Sequence, residues 1–207
     1  MTRICVFASG NGSNFKSIYN STREGGYSGE VVLLISNNPK CGAVQFSQEN
    51  SITTEIFNKH RYSNFDEYSE KLLQLLKKYK IDLILLAGYM KKIPSIIVRE
   101  FQKHILNIHP ALLPKYGGKG FFGNKVHEAV LESGDKITGV TIHFVNNEYD
   151  SGAIVAQKTV SVLPGDSPCT LAERVLKEEH RIFPEVTRAF CENRIIWKNN
   201  KPIILSD

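Results

Sequence analysis

The hydrophobic pattern of this 207-residue chain predicts an α/β fold: a mostly parallel, twisted sheet of about seven strands with helices on both faces, Rossmann-like, closed by an antiparallel hairpin near the C-terminal part. Three observations predict it. Short apolar runs alternate with stretches of helical period, the pattern of strand–helix–strand units. The first run ends in a glycine-bearing turn that opens a helix, as at the head of a doubly wound sheet. Late in the chain, two further runs are separated only by the polar segment NNEYDSG, which suits a hairpin rather than a crossover.

Taken in order, strands are expected over residues 3–8, 31–36, 53–57, 82–87, 105–108, 139–145 and 154–162. Residues 64–79 read as an amphipathic helix with Phe65, Tyr68, Leu72, Leu75, Leu76 and Tyr79 on one face, and Asn64 with Glu67 forms a capping-box pattern at its start. A second long helix is expected over 170–191, where Ala172, Val175, Leu176, Phe183, Val186 and Phe190 share one stripe. Glu179 lies in the middle of that stripe. A carboxylate there must be paired, protonated or turned to a polar cavity, because burying it alone is prohibitive; a structural salt bridge and a ligand contact both satisfy this. Pro184 removes the donor to the His180 carbonyl, so a kink is expected nearby.

The chain reads as a single domain over 1–207, with an N-terminal part of about 1–105 and a C-terminal part of about 106–207. Hydrophobic residues make up 42% and charged residues 23%, which excludes disordered and fibrous classes. The longest apolar run is about eight residues, near 83–90, far short of the ~18 needed to span a bilayer. The opening MTRICVFASG does not have the form of a signal peptide, so the expected location is cytoplasmic, with no membrane partner. Four cysteines stand far apart without a C-x-x-C pair, against a zinc site or a disulfide framework. A net charge of +5 suits an anionic small molecule and is too diffuse for nucleic acid.

The first strand is followed by Ser9-Gly10-Asn11-Gly12-Ser13-Asn14, where glycines allow a tight turn and the helix N-terminus offers free N–H groups to an anion. The dinucleotide fingerprint fails at its third glycine, where Phe15 stands, and the second strand is followed by Asn37 and Asn38 rather than a ribose-binding acid. The loop is therefore a plain turn or a single-phosphate site. The segment Ile105-Leu106-Asn107-Ile108-His109-Pro110 carries more. Asn107 and His109 are two apart at a strand end, so their side chains share a face at the edge where open α/β sheets bind ligands. An amide beside an imidazole can hold a developing oxyanion and move a proton. Asp150, in the turn 146–152, is either an ordinary turn residue or a partner that raises the proton affinity of His109. His143 ranks below these three, because its phase with Thr141 and Val145 equally suits packing in the sheet.

GNGSN, LAGYM, NIHPALLPKYGG, HFVNNEYDSG and ERVLKEEHRIFP occur in the order seen in the glycinamide ribonucleotide formyltransferases, and the chain resembles that folate-dependent family over nearly its whole length. The resemblance implies the formyltransferase fold and a purine-biosynthetic transferase that moves a formyl group from 10-formyltetrahydrofolate to glycinamide ribonucleotide. Gly12, Ser13 and Asn14 would hold the ribose phosphate, with Glu179 near the glycinamide end. Met90, Lys91, Lys92, Ile93 and the loop Asn146, Asn147, Glu148, Tyr149 and Asp150, with Asn107, would bind the reduced folate. Asn107, His109 and Asp150 would be catalytic, with a protonated His109 and the Asn107 amide donating to the formyl oxygen. No metal and no ATP are implied; both substrates are small molecules, and a monomer or weak homodimer is expected.

The chain departs from the family pattern in places. Many members have Arg where this chain has Lys91 or Lys92, and lysine does not make the forked contact of Arg. An Arg that some members place near the start of the third helix has no match around 64–67, and GGKGFFGNKVH is longer than the commonest form of its loop. Leu113–Pro114 is expected to be a cis peptide. Two folate-enzyme rivals, methionyl-tRNA formyltransferase and formyltetrahydrofolate deformylase, carry an additional domain for which 207 residues leave no room. A non-catalytic phosphate-binding module explains GNGSN and leaves the Asn–His–Asp set without a reason.

Overall fold

The structure is a computed structural model that describes residues 1–206. The chain divides into two compact units, Met1–Leu106 and Asn107–Asp207. In the first, strands β1 (Thr2–Phe7), β2 (Gly29–Ser36), β3 (Thr53–Ile56) and β4 (Leu83–Leu86) alternate with helices α1 (Ser13–Glu24), α2 (Gly42–Glu49), α3 (Phe65–Lys78) and α4 (Ser95–Glu100). All pairings among these strands are parallel. Ile4–Phe7, Leu33–Ser36 and the whole of β4 are buried, which is why they read as unbroken apolar runs rather than alternating ones.

The chain passes from the first unit to the second within β5 (Ile105–His109). The second unit continues with α5 (Asn124–Glu132), the antiparallel pair β6 (Ile137–Phe144) and β7 (Ile154–Ser161), the long helix α6 (Pro168–Cys191), and a hairpin of β8 (Ile195–Lys198) and β9 (Lys201–Ile204). The seven-stranded sheet has the order β3-β2-β1-β4-β5-β6-β7, with the predicted antiparallel hairpin at its end.

Differences from the expected pattern have local causes. The β8–β9 hairpin was not predicted; its two-residue turn, Asn199-Asn200, takes φ of 50° and 60°, which asparagine tolerates better than most residues. In α3, Asn64 Oδ1 accepts from the Glu67 N–H at 2.8 Å, yet Glu67 reaches back to the Ser63 N–H at 2.9 Å, one residue before the cap. Phe65, expected on the buried face, is 56% exposed and stacks on the Tyr68 ring in the first turn of the helix. Helix α6 begins with a complete Ser167–Thr170 capping box and Pro168 in its first turn. Its buried stripe is Leu171, Val175, Glu179, Ile182, Phe183, Val186 and Ala189, rotated slightly from the predicted one, so Ala172, Leu176 and Phe190 are half-buried. Glu179 keeps its place in the middle. The helix is continuous through Pro184.

All four cysteines are free thiols, and among the described residues no helix is long and apolar enough to cross a membrane.

Candidate active site

In the first unit, the turn after β1 is shaped by glycine. Gly12 stands at the N-cap of α1 with φ of 73°, and a Cβ there would lie 2.8 Å from Ala43 Cα. Both the left-handed backbone and this close approach exclude other residues. No side chain caps α1, so the backbone N–H groups of its first turn are presented as an anion cradle beside buried Asn14. Ser9 Oγ donates to Asn37 Oδ1 at 2.5 Å and accepts from the Met90 N–H at 2.9 Å, tying the turn after β4 to the same loop. In that turn Met90, Lys91 and Lys92 are exposed and Ile93 is buried.

In the second unit, β5 and β6 bring Asn107, His109 and His143 to one place, and the loop after β6 delivers Asp150. Asn107 Nδ2 lies 3.0 Å from His143 Nε2 and 3.3 Å from Asp150 Oδ1; His109 Nδ1 lies 3.6 Å from Asp150 Oδ2. Asp150 has φ of 51°, and Gly152 packs so tightly that a Cβ would run into the Phe144 carbonyl. Asn146 stiffens the loop by accepting from the Glu148 N–H and the Ser151 hydroxyl, both at 3.0 Å, while Asn147, Glu148 and Tyr149 are exposed.

The hydrogen bonds assign the tautomers. His143 Nδ1 is 2.8 Å from the Phe144 carbonyl, so it carries the proton, and Nε2 is left to accept from the Asn107 amide. His143 is therefore both a packed sheet residue and the group that orients Asn107. His109 Nε2 is 2.7 Å from the Tyr116 carbonyl and must be the protonated nitrogen, leaving the Nδ1 lone pair turned toward Asp150. At 3.6 Å that pair is not a hydrogen bond, and the gap leaves Nδ1 as the working atom.

Burial lowers the His109 pKa more than the Asp150 charge and the Tyr116 carbonyl raise it, so the imidazole sits below its ordinary value. At 4% exposure, burial costs the imidazolium more than Asp150 and Tyr116 return. For Asp150, burial pulls upward, but the neighbouring His143 and His109 and the Gly118 N–H outweigh it, and the carboxyl is held below its usual range. It is the fixed negative charge of the site.

The segment after His109 supplies groups that motif reading passed over. Thr141 Oγ1 donates to the Ala111 carbonyl at 2.6 Å and accepts from the Leu113 N–H at 3.1 Å, stapling the turn in which Leu113–Pro114 is cis. Tyr116 then offers its carbonyl to His109, and the Gly118 N–H donates to Asp150 Oδ2 at 3.0 Å. Backbone groups leave no residue-type signal; only the glycine pair at 117–118 hinted at them. His127 on α5 is also buried, its Nδ1 without a hydrogen-bond partner and its pKa lowered by burial and then by His109.

These histidines predict an acid-side loss of stability. His109, His127 and His180 all titrate below the ordinary imidazole value of about 6.5 when folded, chiefly through burial. The unfolded chain therefore binds more protons as pH falls below that value, and stability, full above it, declines toward the folded pKa values. Thermal denaturation at pH 7.0 and 5.5 checks this: the midpoint is expected to be lower at pH 5.5, and an equal or higher midpoint contradicts the assignment.

An amide, an imidazole and a fixed carboxylate converging at the end of a strand in an α/β fold are groups suited to acid–base group transfer. The comparisons specify which. The formyl transferase family model matches residues 2–187. A chloroplastic phosphoribosylglycinamide formyltransferase of Arabidopsis thaliana is 49% identical over 199 residues, 96% of this chain and 68% of its own length. The phosphoribosylglycinamide formyltransferase of Haemophilus influenzae is 35% identical over 97% of this chain and 92% of its own. The crystal structure of glycinamide ribonucleotide transformylase 1 from Symbiobacterium toebii superposes with a TM-score of 0.92 at 35% identity, covering 100% of this chain and 95% of that one. The chain belongs to the formyl transferase family and is a formyltransferase.

Proposed function

We propose that this enzyme transfers the formyl group of 10-formyltetrahydrofolate to the amine of 5'-phosphoribosylglycinamide, giving 5'-phosphoribosyl-N-formylglycinamide and tetrahydrofolate. The observation that carries the reading is the meeting of Asn107, His109 and Asp150 in a chain 35–49% identical to proteins of that name. The uncapped N-terminus of α1 at Gly12, Ser13 and Asn14 suits the ribose phosphate, and Glu179 suits the glycinamide amine. Met90–Ile93 and Asn146–Asp150 are assigned to the folate.

The amine nitrogen attacks the formyl carbon, and charge collects on the formyl oxygen. Of the two Asn107 amide hydrogens, the one on His143 is held at 3.0 Å, and the one at 3.3 Å from Asp150 is the more easily given to that oxygen. Neutral His109 takes the proton of the attacking nitrogen on Nδ1. The imidazolium that forms lies between Asp150 and the Tyr116 carbonyl, then delivers the proton to the departing folate nitrogen. The new bond is C–N and so is the one broken, so the balance closes without phosphoryl activation.

The test mixes purified enzyme with glycinamide ribonucleotide and 10-formyldideazafolate and follows release of the deformylated folate by absorbance. Release is expected to require the ribonucleotide and to fall by about 100- to 10,000-fold in His109→Ala. Release without ribonucleotide, or a fully active His109→Ala, overturns the reading.

A further inference from the structure

We propose that Asp135, with Ser133, is a positioning residue for His109: by gripping the Tyr116 phenol it keeps the Tyr116 carbonyl on His109 Nε2. The proposal deepens the functional reading above and rests on it for the meaning of the rate changes, though not for the structural ones. The phenol lies 2.7 Å from Asp135 Oδ2 and 2.5 Å from Ser133 Oγ, and Lys115 Nζ reaches the same Asp135 oxygen at 2.5 Å. These groups hold the Asp135 carboxyl below the usual carboxylate range, Lys115 most, so it is a charged acceptor. Ser133, just past the end of α5, gives its one proton to the phenol oxygen, while the phenol's own proton goes to Asp135.

The carbonyl needs such a grip because its own backbone does not supply one. No helix or strand lies between β5 and α5. Tyr116 takes φ of 57°, unfavourable for a residue with a side chain, and Gly118, Gly120 and Gly123 all have positive φ. A chain of this kind has many alternative paths, and a few tenths of an ångström decide whether its carbonyl meets an imidazole. Thr141 and Gln157 hold the turn as far as Leu113; beyond it the segment is tied beside the site by Asp150 on the Gly118 N–H, and by the Asp135–Ser133 pair on the Tyr116 phenol. The first belongs to the catalytic set. The second lies outside it and acts through Tyr116 and through Lys115 beside it.

The chemical consequence is selection of a tautomer. With Nε2–H committed to Tyr116, the lone pair must be on Nδ1, the atom turned to Asp150. If the phenol is released, the proton can move to Nδ1, where Asp150 attracts it, and His109 loses its base in the required direction.

The experiment compares Tyr116→Phe, Asp135→Ala, their double variant and Asp135→Asn with the parent enzyme. Tyr116→Phe and Asp135→Ala are each expected to lower kcat by about 10- to 100-fold, the scale of a small misplacement, with KM changed far less. The double variant is expected to be no slower than the worse single one, because both act through one bond. Asp135→Asn keeps an acceptor and is expected to recover most of the rate. Nitrogen-15 NMR of His109 is expected to show the Nε2–H tautomer in the parent enzyme and a mixture in the two single variants, with the imidazole titrating lower once the carbonyl has loosened. An unchanged tautomer in a folded Tyr116→Phe overturns the proposal, even if its melting temperature drops; so do multiplicative losses in the double variant. If the parent enzyme does not transfer formyl, the functional reading fails while the NMR comparison still decides the anchor.

Discussion

Replacing Asp150 by Asn lowers kcat by about 100- to 10,000-fold while the protein folds and binds both substrates within a few-fold of the parent. Asparagine has the same shape and can still accept the Gly118 N–H, so the loop after β6 keeps its path. What disappears is the fixed negative charge 3.6 Å from His109 Nδ1. That charge does little for the neutral imidazole of the resting site; it acts when the imidazole has taken the proton of the attacking amine, and its loss falls on that cation and on the transition state leading to it. Because Asp150 is a raising influence on His109, the imidazole of the variant also titrates lower than in the parent. Steady-state kinetics with an NMR titration of His109 test both halves, and a variant with parental kcat would remove Asp150 from the chemistry. Asn107→Ala is expected to cost about 100- to 1,000-fold, as for loss of one oxyanion donor.

Gly12→Val is expected to abolish ribonucleotide binding at ordinary concentrations and to weaken the fold. Its Cβ would sit 2.8 Å from Ala43 Cα in a backbone with φ of 73°, so either the loop or the start of α2 must move. Strain of that kind costs about 1–3 kcal/mol. Displacing the first N–H groups of α1 removes charge-assisted hydrogen bonds worth about 1.5–3 kcal/mol each, so losing two raises the KM for the ribonucleotide by at least about 100-fold. The KM for the folate should change little. Kinetics with each substrate varied in turn separate the two, and equal losses in both would show that the variant had damaged more than the phosphate cradle.

Much of this was legible in the residues. Every strand of the large sheet lies within two residues of its expected start, and the central parallel strands, buried on both faces, are the clearest because they must be written as continuous apolar runs. Asn107 and His109 were legible as a pair because strand alternation puts residues two apart on one face. His143 was ranked too low because its packing phase and its role coincide: one ring is buried in the sheet and orients Asn107 through the nitrogen left free. The β8–β9 hairpin was passed over because its strands are four residues long, charged at one end and broken by Pro202. The contributions of Tyr116 and Gly118 are made by backbone atoms, which every residue has.

The sequence by itself determined the architecture, the family and the identity of the polar groups, since hydrophobic period, glycine placement and motif order are local properties of the chain. The tertiary structure alone decided the direction in which the His109 pKa moves, the tautomers of both histidines and the anchoring of Tyr116 by Asp135. Those are balances between desolvation and partners that arrive from β5, β6, the loop at Asp150 and the turn after α5, and an electrostatic balance has no value until the distances and the burial are set.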